Sequence, residues 1–250
     1  MTTFGLAYWE RDPRRTREDA LAIQAAGFSW VVIPVSSERM AFDLEGVEEI
    51  IQIFKAQGIE TRLSPWGVGG VFGGEGLQEA LVRPLDACLR WMGYAIALNP
   101  DALYWDEPKG EGSAYLDILS GLARYELPQH LYYNPNLAER PGRGTLRGFR
   151  SLGIDAYDRT PDEAAFEASR WSTELDRPIH VWVRSFRLAE DESADAGRMI
   201  LDLWNLGIQD IAVWGYPSRT VSILNNEQPT LVWTYIQEAI DEIREAEGTK

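Results

Sequence analysis

The chain has 250 residues, 45% hydrophobic and 25% charged, with a formal net charge of -15 and an isoelectric point near 4.6. This balance excludes an intrinsically disordered chain. The negative charge repels phosphate backbones and anionic lipids, so we expect neither nucleic acid nor membrane partners. Cys88 is the only cysteine, which excludes an internal disulfide and a cysteine-based zinc site.

The first residues lack the apolar segment of a secretory signal. No run of about 18 apolar residues follows that could span a membrane. The sequence therefore predicts a cytoplasmic protein.

Short β-branched or aromatic runs alternate with amphipathic stretches along the chain, as expected for parallel strands joined by crossover helices. A short, poorly specified helix is predicted near Leu146 to Leu152. Eight units in 250 residues predict a single (β/α)8 barrel domain of class α/β over residues 1–250. The predicted strands are Phe4–Trp9, Trp30–Val35, Thr61–Trp66, Ala102–Asp106, His130–Asn134, Gly153–Tyr157, His180–Arg184 and Ile211–Trp214.

Active sites of such barrels form where the strands end. His130 and His180 fall at predicted strand beginnings, which disfavours a histidine triad or a histidine-bound metal. Carboxylates and aromatic rings dominate the strand ends, and this mixture suits a sugar, which offers both apolar faces and hydroxyl groups. The side chains at these ends are Trp9, Glu10, Ser36, Glu38, Trp66, Asp106, Glu107, Asn134, Asn136, Asp155, Asp158, Arg184, Trp214 and Tyr216.

The segment Ala102-Leu-Tyr-Trp-Asp-Glu-Pro108 ends a strand in two adjacent carboxylates. It resembles the barrel glycoside hydrolases in which Asn-Glu-Pro at the end of strand four supplies the proton donor. That resemblance implies Glu107 as general acid/base. The chain departs from the pattern because Asp106 replaces the asparagine, and because strand seven ends in Val183-Arg-Ser-Phe186 where the group has a glutamate nucleophile.

The sequence Gly153-Ile-Asp-Ala-Tyr-Asp158 carries a second pair of carboxylates. It is similar to α-galactosidase-like barrels, which implies Asp106 as nucleophile and Asp155 or Asp158 as acid/base. Strand alternation turns Asp155 into the barrel, and it also turns Arg62 and Arg184 inward. Asp155 is therefore expected to pair with one of these arginines, to act in catalysis, or to bind substrate hydroxyls.

A glycine-rich stretch, Ser64-Pro-Trp-Gly-Val-Gly-Gly-Val-Phe-Gly-Gly-Glu75, follows strand three. It lacks the spacing of a phosphate-binding loop. We interpret it as a loop over the barrel mouth that brings Trp66, Phe72 and Glu75 toward the ligand. This stretch and Tyr-Trp-Asp-Glu-Pro together resemble a group of bacterial barrel proteins labelled glycoside-hydrolase-like, a resemblance that implies the fold more than a reaction.

The leading hypothesis is hydrolysis of a small glycoside or oligosaccharide, which needs two carboxyl groups but no metal or cofactor. Glu107 would protonate the leaving oxygen, and the nucleophile or base would be Asp106, Asp155, Glu10 or Glu75. The oligomeric state is left open. The predicted substrate-binding residues are Trp9, Glu10, Trp66, Glu75, Asn134, Asp158, Arg184, Trp214 and Tyr216.

Two alternatives remain at this stage. One is metal-dependent sugar isomerisation or aldol-type chemistry, with oxygen ligands from the carboxylates at residues 106, 107, 155 and 158. Lys109 is the only lysine near a predicted strand end that could form a Schiff base. The other alternative is a non-catalytic barrel that binds carbohydrate.

Overall fold

Eight parallel strands close into a barrel, because β1 pairs with both β2 and β8. The predicted (β/α)8 fold is therefore confirmed. The strands β1 to β8 are Thr3–Ala7, Trp30–Val35, Glu60–Pro65, Ala102–Asp106, Gln129–Tyr132, Ser151–Asp155, Ile179–Val183 and Asp210–Val213. This computed structural model describes residues 1–35, 37–38, 41–42, 44–65, 84–106, 113–122, 127–132, 146, 148–216 and 226–248.

Helices surround the barrel and pack on the outward faces of its strands. A short antiparallel hairpin, Ser37–Glu38 with Ala41–Phe42, follows β2, and a 3₁₀ helix spans Glu190–Glu192. None of the helices in the described part of the chain combines the length and apolar character of a membrane span. The α-helices α1 to α7 are Pro13–Ala25, Val47–Ala56, Pro84–Leu98, Ser113–Leu122, Pro161–Leu175, Asp195–Asn205 and Pro229–Ala246.

Several strands begin and end earlier than the sequence predicted. β6 runs over Ser151–Asp155 rather than Gly153–Tyr157, because Leu152 already pairs with Ile179 of β7. The predicted helix near Leu146 to Leu152 is wrong at its end for the same reason. Hydrogen bonds to neighbouring strands set these limits, and the sequence does not display them.

Large aromatic side chains fill the barrel interior. The indole of Trp30 occupies the space beside Gly5, and the imidazole of His180 occupies the space beside Gly153. The Arg62 guanidinium lies 3.8 Å over the Trp30 ring centre. Glycine at these two inward positions thus makes room for the interior rings. The apolar interior cluster comprises Ala7, Trp30, Val32, Tyr104, Tyr132, Trp182 and Ala212.

Substituting Gly5→Ala is expected to destabilise the fold by roughly 3 kcal/mol through overpacking. The added Cβ would lie 2.1 Å from Trp30 Cε2, and the packed barrel leaves the indole little space to shift. Urea denaturation measures the change. Gly93→Ala is the matched control: no atom lies within 4 Å of its added Cβ on α3, and alanine favours a helix by about 0.5 to 1 kcal/mol. Equal stability of the two variants would contradict the prediction.

Candidate functional site

One side of the barrel mouth is acidic and is formed by the ends of β4, β5 and β6. Asp106, the last residue of β4, pairs in register with Tyr132 of β5. The Tyr132 hydroxyl donates to Asp155 Oδ2 at 3.2 Å. Asp155 ends β6, is only 5% exposed, and points inward as alternation predicted. The catalytic candidates Asp106 and Asp155 therefore flank one tyrosine.

The other side of the mouth is aromatic and is formed by β7, β8 and β1. Trp182 pairs in register with Asp155, and its ring centre lies 5.3 Å from that of Trp214. The Trp214 ring lies 6.0 Å from Trp9, which follows β1. Six side chains thus follow one another around the mouth, and we call them the mouth arc: Asp106, Tyr132, Asp155, Trp182, Trp214 and Trp9.

An open groove of about 400 Å³ lies between the end of β6 and helix α5. Small-molecule sites commonly have volumes of about 300 to 1,000 Å³. Asp158 is exposed at this groove, as expected for a residue that meets a ligand from solvent. Asp155 belongs both to the lining of this groove and to the mouth arc. The groove is lined by Asp155, Asp158, Arg159, Glu163, Phe166 and Glu167.

The predicted ion pair of Asp155 with an inward arginine is wrong. Arg62 Nε donates to Glu60 Oε1 at 2.9 Å instead. Arg184 donates through Nε to the Phe186 carbonyl and through Nη2 to the Arg187 carbonyl, at 3.2 and 2.8 Å. Arg184, which follows β7, thus binds carbonyl groups of its own loop.

Two predicted substrate-binding residues lie in other surroundings. Glu10 is 4% exposed, and its Oε1 accepts from the backbone N–H groups of Arg11 and Asp12 at the start of α1. Tyr216 packs on Trp233 with ring centres 5.0 Å apart, and burial raises the pKa of Tyr216 to about 12. The structure therefore does not add these two side chains to the mouth arc, and a substrate role for either remains a prediction.

Several predicted site residues lie outside the described residues. They include the proposed acid Glu107 and the lysine considered for Schiff-base chemistry, Lys109. Three predicted substrate-binding residues also lie outside the described residues: Trp66, Glu75 and Asn134.

Tyr132 and Trp182 join the site without having been predicted. Tyr132 positions Asp155, and Trp182 lies between Asp155 and the outer indoles. The period-two alternation that turned Asp155 inward also applies to β5 and β7 and could have found both residues. Within the described residues, no group of three or more His, Cys, Asp or Glu side chains is arranged to hold a metal ion.

Comparison with known protein families gave no matching model, and comparison with curated proteins gave no match either. Solved structures do share the fold. The endo-1,4-β-mannanase of Rhizomucor miehei has a TM-score of 0.68 at 10% identity, with 98% of this chain and 95% of that chain covered. The endo-1,4-β-D-mannanase of Thermotoga petrophila has a TM-score of 0.61 at 12% identity, covering 97% and 100%.

An enzyme of different chemistry is similar to nearly the same degree. A truncated 3-deoxy-D-arabino-heptulosonate 7-phosphate synthase from Thermotoga maritima has a TM-score of 0.60 at 12% identity, covering 100% of this chain and 89% of that chain. Glycoside hydrolases and aldolases therefore both occur among the structural neighbours. At these identities the likeness establishes the barrel fold alone, and the function must be argued from the site.

Proposed function

We propose that the protein is a glycoside hydrolase that acts on a small glycoside or short oligosaccharide. The observation that carries the proposal is the mouth arc, in which two carboxylates are followed by three indoles. Glycoside hydrolysis needs two carboxyl groups that flank the scissile bond. Sugar rings also need an aromatic surface against which their C–H faces stack.

In this proposal Asp155 is the nucleophile or base. Its carboxylate accepts a hydrogen bond from the Tyr132 hydroxyl, and Asp155 is one of the residues that line the open groove. Glu107 or Asp106, at the end of β4, protonates the leaving oxygen. Neighbouring strands lie about 4.8 Å apart, so the backbones of β4 and β6 are separated by roughly 10 Å. The proposal places the sugar ring between the carboxylates of these two strands.

Schiff-base aldol chemistry would need a lysine at the mouth, and the candidate that the sequence offers there, Lys109, lies outside the described residues. Lys55 Nζ donates to the Asn99 carbonyl and pairs with Asp101 at 3.2 Å. Asp101 precedes β4, so this contact lies at the end of the barrel opposite the mouth. Lys55 is the only lysine of the described residues, and it does not reach the mouth arc.

The proposal is tested by incubating the purified protein with α- and β-linked glycosides and short oligosaccharides, in EDTA. We expect release of sugar from at least one substrate. Asp106→Asn or Glu107→Gln should lower the rate by about 100-fold or more, as loss of an acid/base group does. Asp202→Asn removes the same charge from an exposed position near the carboxyl end of α6, on the side of the barrel opposite the mouth, and should retain full activity.

Failure to cleave any glycoside would contradict the proposal, as would full activity in both strand-four variants. Sugar binding that survives every carboxylate substitution, without cleavage, would identify a carbohydrate-binding barrel instead. Activity that appears only with added Mg²⁺ or Mn²⁺ would favour the metal-dependent alternative.

A further inference from the structure

A chain of hydrogen bonds runs through the barrel interior directly below the mouth. Trp182 Nε1 donates to the Tyr104 hydroxyl at 2.6 Å. The same hydroxyl lies 2.7 Å from Nε2 of His180. His180 Nδ1 in turn lies 3.2 Å from the Ser151 hydroxyl. The rings of His180, Tyr104 and Trp182 are fully buried, so water does not compete for these bonds.

The chain continues to the amino-terminal end of the barrel. Ser151 Oγ lies 2.6 Å from His130 Nδ1. His130 Nε2 faces Glu60 Oε1 at 3.6 Å. Burial, together with the nearby Arg62 guanidinium, lowers the pKa of both imidazoles, so both are neutral at neutral pH. Each neutral ring has one donor nitrogen and one acceptor nitrogen.

The two ends of the chain determine the direction in which its protons are donated. The Trp182 indole can only donate, so the Tyr104 oxygen accepts from it and passes its own proton to His180 Nε2. His180 then carries its proton on Nδ1 and donates to Ser151, which donates to His130 Nδ1. This leaves His130 with a proton on Nε2, directed at the Glu60 carboxylate. The reverse direction would turn a lone pair of His130 toward that carboxylate.

Trp182, at the upper end of the chain, joins the two sides of the mouth arc. Its register partner is Asp155, and its ring lies 6.2 Å from Tyr132 and 5.3 Å from Trp214. A buried indole N–H usually finds a hydrogen-bond partner, and the position of that partner helps to set the orientation of the ring. The Tyr104 hydroxyl is that partner, and His180 orients the hydroxyl.

We propose that His180 is a positioning residue of the mouth, because through the Tyr104 hydroxyl it fixes the Trp182 indole between Asp155 and Trp214. Its effect on catalysis rests on the proposed glycosidase function. The arrangement of protons and the orientation of the indole do not depend on that function, so they can be tested separately.

The first test is NMR spectroscopy of the full-length protein labelled with ¹⁵N. Long-range imidazole correlations should show His180 protonated on Nδ1 and His130 on Nε2 at neutral pH. Tyr104→Phe should shift the indole N–H resonance of Trp182. Tyr8→Phe is the matched control, since it removes another buried tyrosine hydroxyl, bonded to Thr16 and Asp19 outside the barrel interior, and should leave the Trp182 resonance in place.

The second test is kinetic. Tyr104→Phe should lower kcat by about tenfold, because displacement of the Trp182 indole also displaces Tyr132, which holds Asp155, and a small misplacement of a catalytic group is costly. Tyr8→Phe should stay within about twofold of the wild-type rate while losing similar stability, since each variant loses one buried hydroxyl. His180→Gln can still accept from Tyr104 and donate to Ser151, so it should retain more activity than His180→Leu.

The proposal is overturned if His180 is protonated on Nε2, or if Tyr104→Phe leaves the Trp182 resonance unmoved. Equal rate losses in Tyr104→Phe and Tyr8→Phe would also overturn it, because the effect would then be one of general stability. If the wild-type protein cleaves no glycoside, the proposed function fails, and the imidazole and indole resonances alone decide whether His180 positions Trp182.

Discussion

Asp155→Asn is expected to lower kcat for glycoside hydrolysis by about 100-fold or more, because the amide can neither attack nor accept a proton. The substitution preserves the shape of the side chain, and the amide oxygen can still accept from the Tyr132 hydroxyl. The fold should therefore persist. Steady-state kinetics with the best substrate of the panel, together with urea denaturation, measures both effects.

Asp162→Asn is the control for this experiment. Asp162 is exposed in the first turn of α5, the helix that follows Asp155 and β6, and it does not line the groove. It should keep full activity and lose about 0.3 to 1 kcal/mol of stability through the helix dipole. Wild-type activity in Asp155→Asn would show that Asp155 only accepts a hydrogen bond from the Tyr132 hydroxyl, and the catalytic assignment would be wrong.

Acidification below about pH 6.5 is expected to destabilise the protein steeply. His130 and His180 have folded-state pKa values below the ordinary value of 6.5, because burial penalises the charged imidazole. Below pH 6.5 the unfolded chain binds protons that the folded chain does not, so the free energy of unfolding falls with pH. Each histidine contributes a slope of up to about 1.4 kcal/mol per pH unit. Above pH 6.5 this contribution to stability is fully present.

Urea denaturation at several pH values between 7 and 5 measures the slope. Burial raises the pKa of Asp19 and Asp210, so protonation of these carboxyls acts in the opposite sense to that of the histidines. His180→Gln removes the contribution of one of the two histidines. Its slope should be smaller than that of the wild type by about 1.4 kcal/mol per pH unit. Identical slopes would show that His180 is not held neutral.

The candidate site could be predicted where a local pattern controls it. Asp155 was correctly placed inside the barrel, since successive side chains of a strand point to opposite faces. Its partner was not predicted correctly. Charge favoured an arginine, whereas the register between β5 and β6 brings the Tyr132 hydroxyl to the carboxylate. Register is a relation between two strands, and a pattern within one strand does not contain it.

Glu10 and Tyr216 show the same limit in the loops. Both follow a strand, so sequence position placed them near the mouth. Glu10 accepts from the backbone N–H groups of Arg11 and Asp12 just before α1, and Tyr216 packs against Trp233 of α7. The direction of a loop side chain depends on which neighbouring helix offers a partner, and this is decided only when the helices have packed.

The architecture of the protein could be predicted from local sequence patterns. Alternating strand and helix patterns identified eight units, and Gly27, Gly58 and Gly207 marked three helix ends, where the structure has positive φ angles of 89°, 71° and 90°. The filling of the interior and its hydrogen bonds depend on the closed barrel. The mouth arc and the chain from Trp182 to His130 each join residues from several strands, and closing the barrel is what brings those residues within hydrogen-bond or ring contact.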